Sequence, residues 1–217
     1  MKRESKHRIL ILGASGFLGS ALYKELYPYF STYGTYHRDN KLFSKNQHFF
    51  QFNIEEDDVF EILNIVKPTI IISSLRGDFS AQVIVHKHLT EFVSSSNCKL
   101  IFLSSANVFD AYSKYPSYEY DKTLSNSIYG HFKIKIENML LRLPKKKVVV
   151  IRLPMVFGSQ SPRIEKINQS LNEKTPIEVF PNLIFNVTTD SKVCQQTHYI
   201  INRNKSGVFH LGSTDLV

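Results

Sequence analysis

Three side chains hold the chemistry legible in this sequence: Ser105, Tyr129 and Lys133. Ser105 follows the apolar run Leu100 to Leu103 and Ser104, and Tyr129 stands 24 residues further on, with Lys133 four positions after it. Residues four apart share one face of a helix, and Ile136 and Leu140 continue an apolar stripe beyond them. A phenol with its ordinary pKa of ~10 is a poor acid near neutrality, but an ammonium one turn away favours the phenolate and lowers that value. The pair would then exchange a proton with a substrate oxygen while the Ser105 hydroxyl holds that oxygen. Singly, each residue has a plain structural use: a half-buried aromatic, a solvated helix lysine, a helix cap. Order and spacing together point to chemistry.

Such a group needs a frame, and the stretch Arg8 to Leu22 supplies its origin. Ile9 to Leu12 are four consecutive apolar residues, too few for a helix and suited to a strand buried on both faces. Gly13, Gly16 and Gly19 follow, and Leu18, Leu22 and Leu26 then recur with a helical period up to Pro28. A strand, a glycine turn and a helix direct free N–H groups and the positive helix end at one point, where a pyrophosphate can approach without a Cβ in the way. The spacing is Gly-x-x-Gly-x-x-Gly rather than Gly-x-Gly-x-x-Gly. A turn using glycine only for tight packing is the alternative.

Further strands are expected at 32–36, 49–52, 69–72, 100–103 and 148–151, and a last one at 207–211. Helices built on Val59 to Val66, on Ile84 to Val93 and from Tyr129 alternate with them. This alternation predicts an α/β fold of the Rossmann type, a doubly wound parallel sheet with right-handed crossovers. Ligands of such sheets bind at the carboxyl edge, where Ser105 falls. Arg38, past the second strand, suits the 2′-phosphate of NADP(H), while Asp39 beside it keeps NAD(H) open. The expected cofactor surface comprises Gly13, Ser15, Gly16, Phe17, Leu18, Gly19, Arg38, Asn53, Ile54, Ser73, Ser74, Tyr129 and Lys133, with NADP(H) favoured over NAD(H).

A chain of 217 residues buries roughly 70–75% of its unfolded surface, enough for one α/β core and not for two full domains. The expected division is a dinucleotide-binding domain at 1–158 and a partial substrate-binding region at 159–217, interleaved with the last strand. No apolar run reaches membrane-spanning length, and the basic amino terminus lacks the apolar stretch of a signal peptide. Cys98 and Cys194 have no metal-ligand spacing, which suits a reducing cytoplasm. The net charge of +8 is scattered except at Lys145, Lys146 and Lys147, taken as a loop. Neither a nucleic acid nor a membrane is therefore an expected partner, and a homodimer is left open.

Gly13-x-x-Gly16-x-x-Gly19, Ser104-Ser105-Ala106 with Val108-Phe109-Asp110, Tyr129-Gly130-x-x-Lys133, Arg152-Leu153-Pro154 with Phe157-Gly158, and Gly207 to Leu211 together resemble the extended short-chain dehydrogenase/reductase family. The nucleotide-sugar branch, with its dTDP-4-dehydrorhamnose reductases, epimerases and the regulatory subunit of methionine adenosyltransferase, is the nearest in appearance. The resemblance implies a bound NAD(P), hydride transfer at a sugar carbon, a nucleotide-sugar substrate, and Tyr129 as acid/base. It implies that Lys133 reaches the nicotinamide ribose and lowers the tyrosine pKa, that Ser105 engages the reacting oxygen, and that Asn53 stands where an Asp near the adenine is usual. Some positions depart from the pattern. Ser73-Ser74-Leu75 and a short loop replace an Asn-Ala-Ala-like end to the fourth strand, and Gln82 replaces a helix asparagine. Ala106 and Asn107 follow Ser105 where 4,6-dehydratases carry Asp-Glu, which argues against dehydration. The end at Val217 reads either as a truncated chain or as a reduced sugar site. An NADP-binding regulatory member that turns nothing over is the competing expectation.

Overall fold

Runs of branched apolar residues too short for helices pair side by side in this chain, and helices close over both faces of the sheet they form. The computed structural model describes residues 7–38, 41–112, 116–178 and 184–214. In chain order the elements are β1 (Arg8–Leu12), α1 (Phe17–Leu26), β2 (Ser31–Tyr36), α2 (Lys41–Ser44), β3 (Phe49–Gln51), α3 (Val59–Val66), β4 (Ile70–Ser73), α4 (Phe79–Ser95) and β5 (Lys99–Ser105). They continue with α5 (Ile128–Leu140), β6 (Val148–Leu153), β7 (Met155–Phe157), α6 (Pro162–Glu173), β8 (Val187–Thr189), α7 (Asp190–Asn202) and β9 (Gly207–His210). Short 3-10 turns stand at Ala106–Phe109 and Lys145–Lys147.

Seven strands form one parallel sheet in the order β3-β2-β1-β4-β5-β6-β9, and β7 pairs with β8 in a small second sheet. Residues of alternating parity face opposite layers, as strand geometry requires. Leu10, Leu12, Ile71, Leu100, Phe102, Val148 and Val150 pack against α3, α4 and α5. Ile9, Ile11, Ile70, Ile72, Ile101, Leu103, Val149 and Ile151 pack against α1 and α7. Continuous apolar runs are what a strand buried on both sides demands. The strand order reverses between β1 and β4, and the crevice at that reversal, beyond the carboxyl ends of the strands, is where open α/β sheets take ligands.

The second half departs from expectation in detail. The segment 159–217 holds α6, α7, β8 and β9, of which only β9 was expected. The lysine run is a helical turn rather than a loop. Lys147 Nζ donates to the carbonyls of Val93, Ser94 and Ser96 at 2.7–3.0 Å, closing the carboxyl end of α4.

Candidate active site

The glycine turn is held from below. Gly13 N donates to Thr35 Oγ1 at 2.8 Å, and Ser74 Oγ donates to the Leu12 carbonyl at 2.9 Å. Gly13 has φ +82°, open to glycine with little strain, and a Cβ at Gly19 would collide with the Gly13 carbonyl. Gly16 differs. Its backbone is extended, and a Cβ there would meet only the Gly13 oxygen, at 3.3 Å. Gly13 and Gly19 are thus required by the protein's own packing, whereas Gly16 leaves space on the cleft side.

Helix α1 begins at that space, with Gly16 as its cap and no side-chain hydrogen bond to its first amides. The other helices of eight residues or more are capped by Asp58, Asp78, Ser127, Ser161 and Thr189. No acid occupies the first turn of α1. Orphan amides and an uncompensated helix dipole suit an anion.

The cleft has two halves. One is lined by Gly13, Ser15, Gly16, Thr35, Tyr36, His37, Phe52, Asn53, Ile54, Glu55, Ser74, Leu75, Arg76 and Gly77. The other is lined by Gly16, Phe17, Leu18, Ser74, Leu75, Arg76, Leu103, Ser104, Ser105, Tyr129, Lys133, Leu153, Pro154 and Val156. They meet at Gly16, Ser74, Leu75 and Arg76.

Tyr129, Lys133 and Ser105 therefore come together in one half of the cleft. Their placement follows from local bonds. Ser127 caps α5 by accepting from Gly130 N at 3.0 Å and donates to Asp110 Oδ2, which ties the helix to the turn after β5. Burial raises the Asp110 carboxyl, but hydrogen bonds from Ser127 and Asn126 outweigh it and leave its pKa lowered. A Cβ at Gly130 would overlap Ser125 Oγ and the Asn107 carbonyl, so only glycine lets α5 sit this close.

The electrostatics differ from expectation at two points. Lys133 is 6% exposed, and its Nζ donates to the Leu103 carbonyl at 3.0 Å, over the Phe102 ring and 5.6 Å from the centre of the Tyr129 ring. Burial lowers its pKa to about 8, against the opposing pull of Glu137. Tyr129 is raised by burial, and the groups drawing it back down are Arg76 and Ser105, not Lys133. The Ser105 hydroxyl donates to Asn107 Oδ1 at 2.8 Å and accepts from Asn107 N at 3.2 Å, so it also caps the 3-10 turn.

Of the other expected residues, Ser15, Phe17, Leu18, Asn53, Ile54 and Ser74 line the cleft. Ser73 does not. It is 1% exposed and bonds His86 Nε2 at 2.9 Å, because strand alternation turns it into the sheet where Ser74 faces out. Gly19 lies beneath the turn, and exposed Arg38 stands beyond the cleft lining, next to His37, which is part of it. Asp39 lies outside the described residues. Gln82 is buried and donates to the Gly77 carbonyl at 3.0 Å, pinning the loop after β4. Arg76 on that loop was missed, since a lone arginine beside a glycine carries no sequence signal.

The RmlD substrate binding domain model matches residues 7–217. No curated protein matches the chain. Among solved structures, it is similar to dTDP-glucose 4,6-dehydratase from Bacillus anthracis in complex with NAD, with TM-score 0.83, 17% identity, and coverage of 97% of this chain and 76% of that one. It is also similar to dTDP-4-dehydrorhamnose reductase from Bacillus anthracis in complex with NADP, with TM-score 0.78, 21% identity, and coverage of 99% and 77%. The Bordetella bronchiseptica enzyme WbmG in complex with NAD and UDP gives TM-score 0.78, 18% identity, and coverage of 98% and 75%.

Proposed function

The chain belongs to the RmlD substrate binding domain family, and on that premise we propose that it is an NAD(P)-dependent oxidoreductase, a reductase or epimerase of a nucleotide-linked keto sugar. The observation that carries this reading is a single cleft with Gly16 and the amino end of α1, which has no side-chain cap, at its middle and Ser105, Tyr129 and Lys133 lining one half. A turn whose central glycine faces open space fits a dinucleotide's pyrophosphate. Asn53 and Ile54 would hold the adenosine end, and Arg38 a 2′-phosphate, so NADP(H) is preferred over NAD(H). Bound there, the nicotinamide supplies or accepts a hydride. Tyr129 would pass the accompanying proton to or from the substrate oxygen, Ser105 would turn its hydroxyl from Asn107 to that oxygen, and Lys133 would hold the ribose.

The segment 159–217 would contribute the substrate region. A groove beside the cleft, lined by Phe17, Val156, Arg163, Lys166 and Ile177 among others, offers cations for a nucleotide diphosphate. Free buried cysteines, Cys98 and Cys194, suit a cytoplasmic setting. Among the described residues no helix is long and apolar enough to cross a membrane. The raised Tyr129 phenol and the engaged Ser105 hydroxyl favour a second reading, an NADP-binding regulatory protein without turnover.

The deciding assay is oxidation of NADPH with a panel of nucleotide-linked 4-keto sugars, with isotope exchange to detect epimerisation. Wild type is expected to turn over, and Tyr129→Phe to lose roughly 10²–10⁴-fold in rate while keeping its fold. Tight NADPH binding with no activity on any substrate would instead establish the regulatory reading.

A further inference from the structure

Arg76 is the residue at which three cavities converge. It lines both halves of the cleft and the neighbouring groove, and no other described residue borders all three. The backbone beneath it is fixed on the carboxyl side. Gly77 turns with φ +116°, its carbonyl accepts from Gln82 Nε2, and Asp78 caps α4 by accepting from Ala81 N at 2.8 Å. The side chain itself is exposed, and among the described residues it enters neither of the two ion pairs, Arg152–Glu137 and His198–Glu25. Asp78 caps α4, and neither it nor Glu55 and Glu178, which line the same cavities, forms an ion pair with Arg76 among the described residues. A guanidinium on a pinned loop with no carboxylate partner is prepared for an anion from outside.

We propose that Arg76 binds the diphosphate bridge of the dinucleotide, from the loop that runs against the glycine turn. This rests on reading the cleft as the dinucleotide site. A dinucleotide stretched from Asn53 and Ile54 to Tyr129 crosses where the two halves meet, and its bridge is the diphosphate. The residues at that crossing are Gly16, Ser74, Leu75 and Arg76, of which only Arg76 is charged. Gly16 and the α1 amides supply neutral donors, and Arg76 supplies the full positive charge. The same cation borders the groove carrying Arg163 and Lys166, so a nucleoside diphosphate seated there is the rival source of the same chemistry.

Calorimetric titration of NADPH, ADP and UDP into wild type, Arg76→Met and Arg76→Lys separates these sources. Arg76→Met is expected to weaken NADPH and ADP about tenfold, the worth of one charge-assisted contact, with UDP unchanged. Arg76→Lys is expected to keep part of that affinity, and the unliganded melting temperature should not move. Unchanged NADPH and ADP affinity in Arg76→Met overturns the proposal while leaving the cleft reading intact. A loss confined to UDP, or shared equally by it, overturns it in favour of the groove. Wild type that binds neither NADPH nor NADH overturns both the proposal and the function it rests on.

Discussion

Helix α5 carries two ionisable side chains one turn apart, Lys133 and Glu137, and the fold treats them in opposite ways. Glu137 is 1% exposed and fully partnered: it accepts from Ser104 Oγ at 2.5 Å and from Arg152 Nε and Nη2 at 2.8–3.2 Å. Arg152 in turn lies over the Phe109 ring and donates to the Glu119 carbonyl. Lys133 is equally hidden, yet its ammonium donates to one carbonyl and ion-pairs with no carboxylate among the described residues. A buried charge surrounded by partners anchors β5, β6 and α5 to each other. An under-partnered one, costly to desolvate, is the pattern of a group reserved for a ligand.

The largest expected effect tests the closed cluster. Glu137→Ala strands the Arg152 charge inside the protein, and breaking a buried pair from one side costs about 3–5 kcal/mol. Urea denaturation reads this directly. A loss below about 1 kcal/mol would show the pair to be dispensable and erase the contrast with Lys133.

His86 extends the closed set to a neutral group, and its prediction concerns pH. The imidazole is fully buried and bonds Ser73 Oγ and the Gln82 carbonyl, and burial lowers its pKa to about 4. As pH falls, the unfolded chain takes up this proton first, near ~6.5, so the contribution to stability is complete above that value and lost towards about pH 4. Its total is about 3 kcal/mol. Proton NMR should show the His86 imidazole failing to titrate between pH 7 and 5. Its titration near the ordinary histidine value would disprove the closed environment.

The smallest effect tests the open cluster. Replacing Lys133 with Met removes a desolvated charge and also leaves the Leu103 carbonyl without its donor. The two changes oppose each other, with a net gain of about 1 kcal/mol expected alongside lost turnover. Unfolding of Lys133→Met under conditions where wild type is stable would place the lysine with Glu137 as a structural anchor.

What the sequence determined by itself is the sheet and the order of the site along it. Strands buried on both faces must be written as unbroken apolar runs, so β1, β4, β5 and β6 were legible to within two residues at either end. The glycine turn and the four-residue spacing of Tyr129 and Lys133 are local geometry, hence also legible. The elements missed were α2, α6, α7, β7 and β8. Helix α6 does carry a helical period in Ile164, Ile167 and Leu171 behind the cap Ser161 and Pro162 and was overlooked, whereas β7 and β8 are three residues each, too short to show one. Tertiary structure alone decided the pairing of polar groups. Arg152 meets Glu137 because β6 lies beside β5 under α5, and Arg76 lines the same cleft as Gly16 because β4 lies beside β1. Ser73 turns inward to His86 because the strand runs one residue further than its apolar run. Periodicity fixes which face a residue occupies, but strand order fixes which distant residue stands opposite, and a partner's charge or hydrogen bond acts only across that distance.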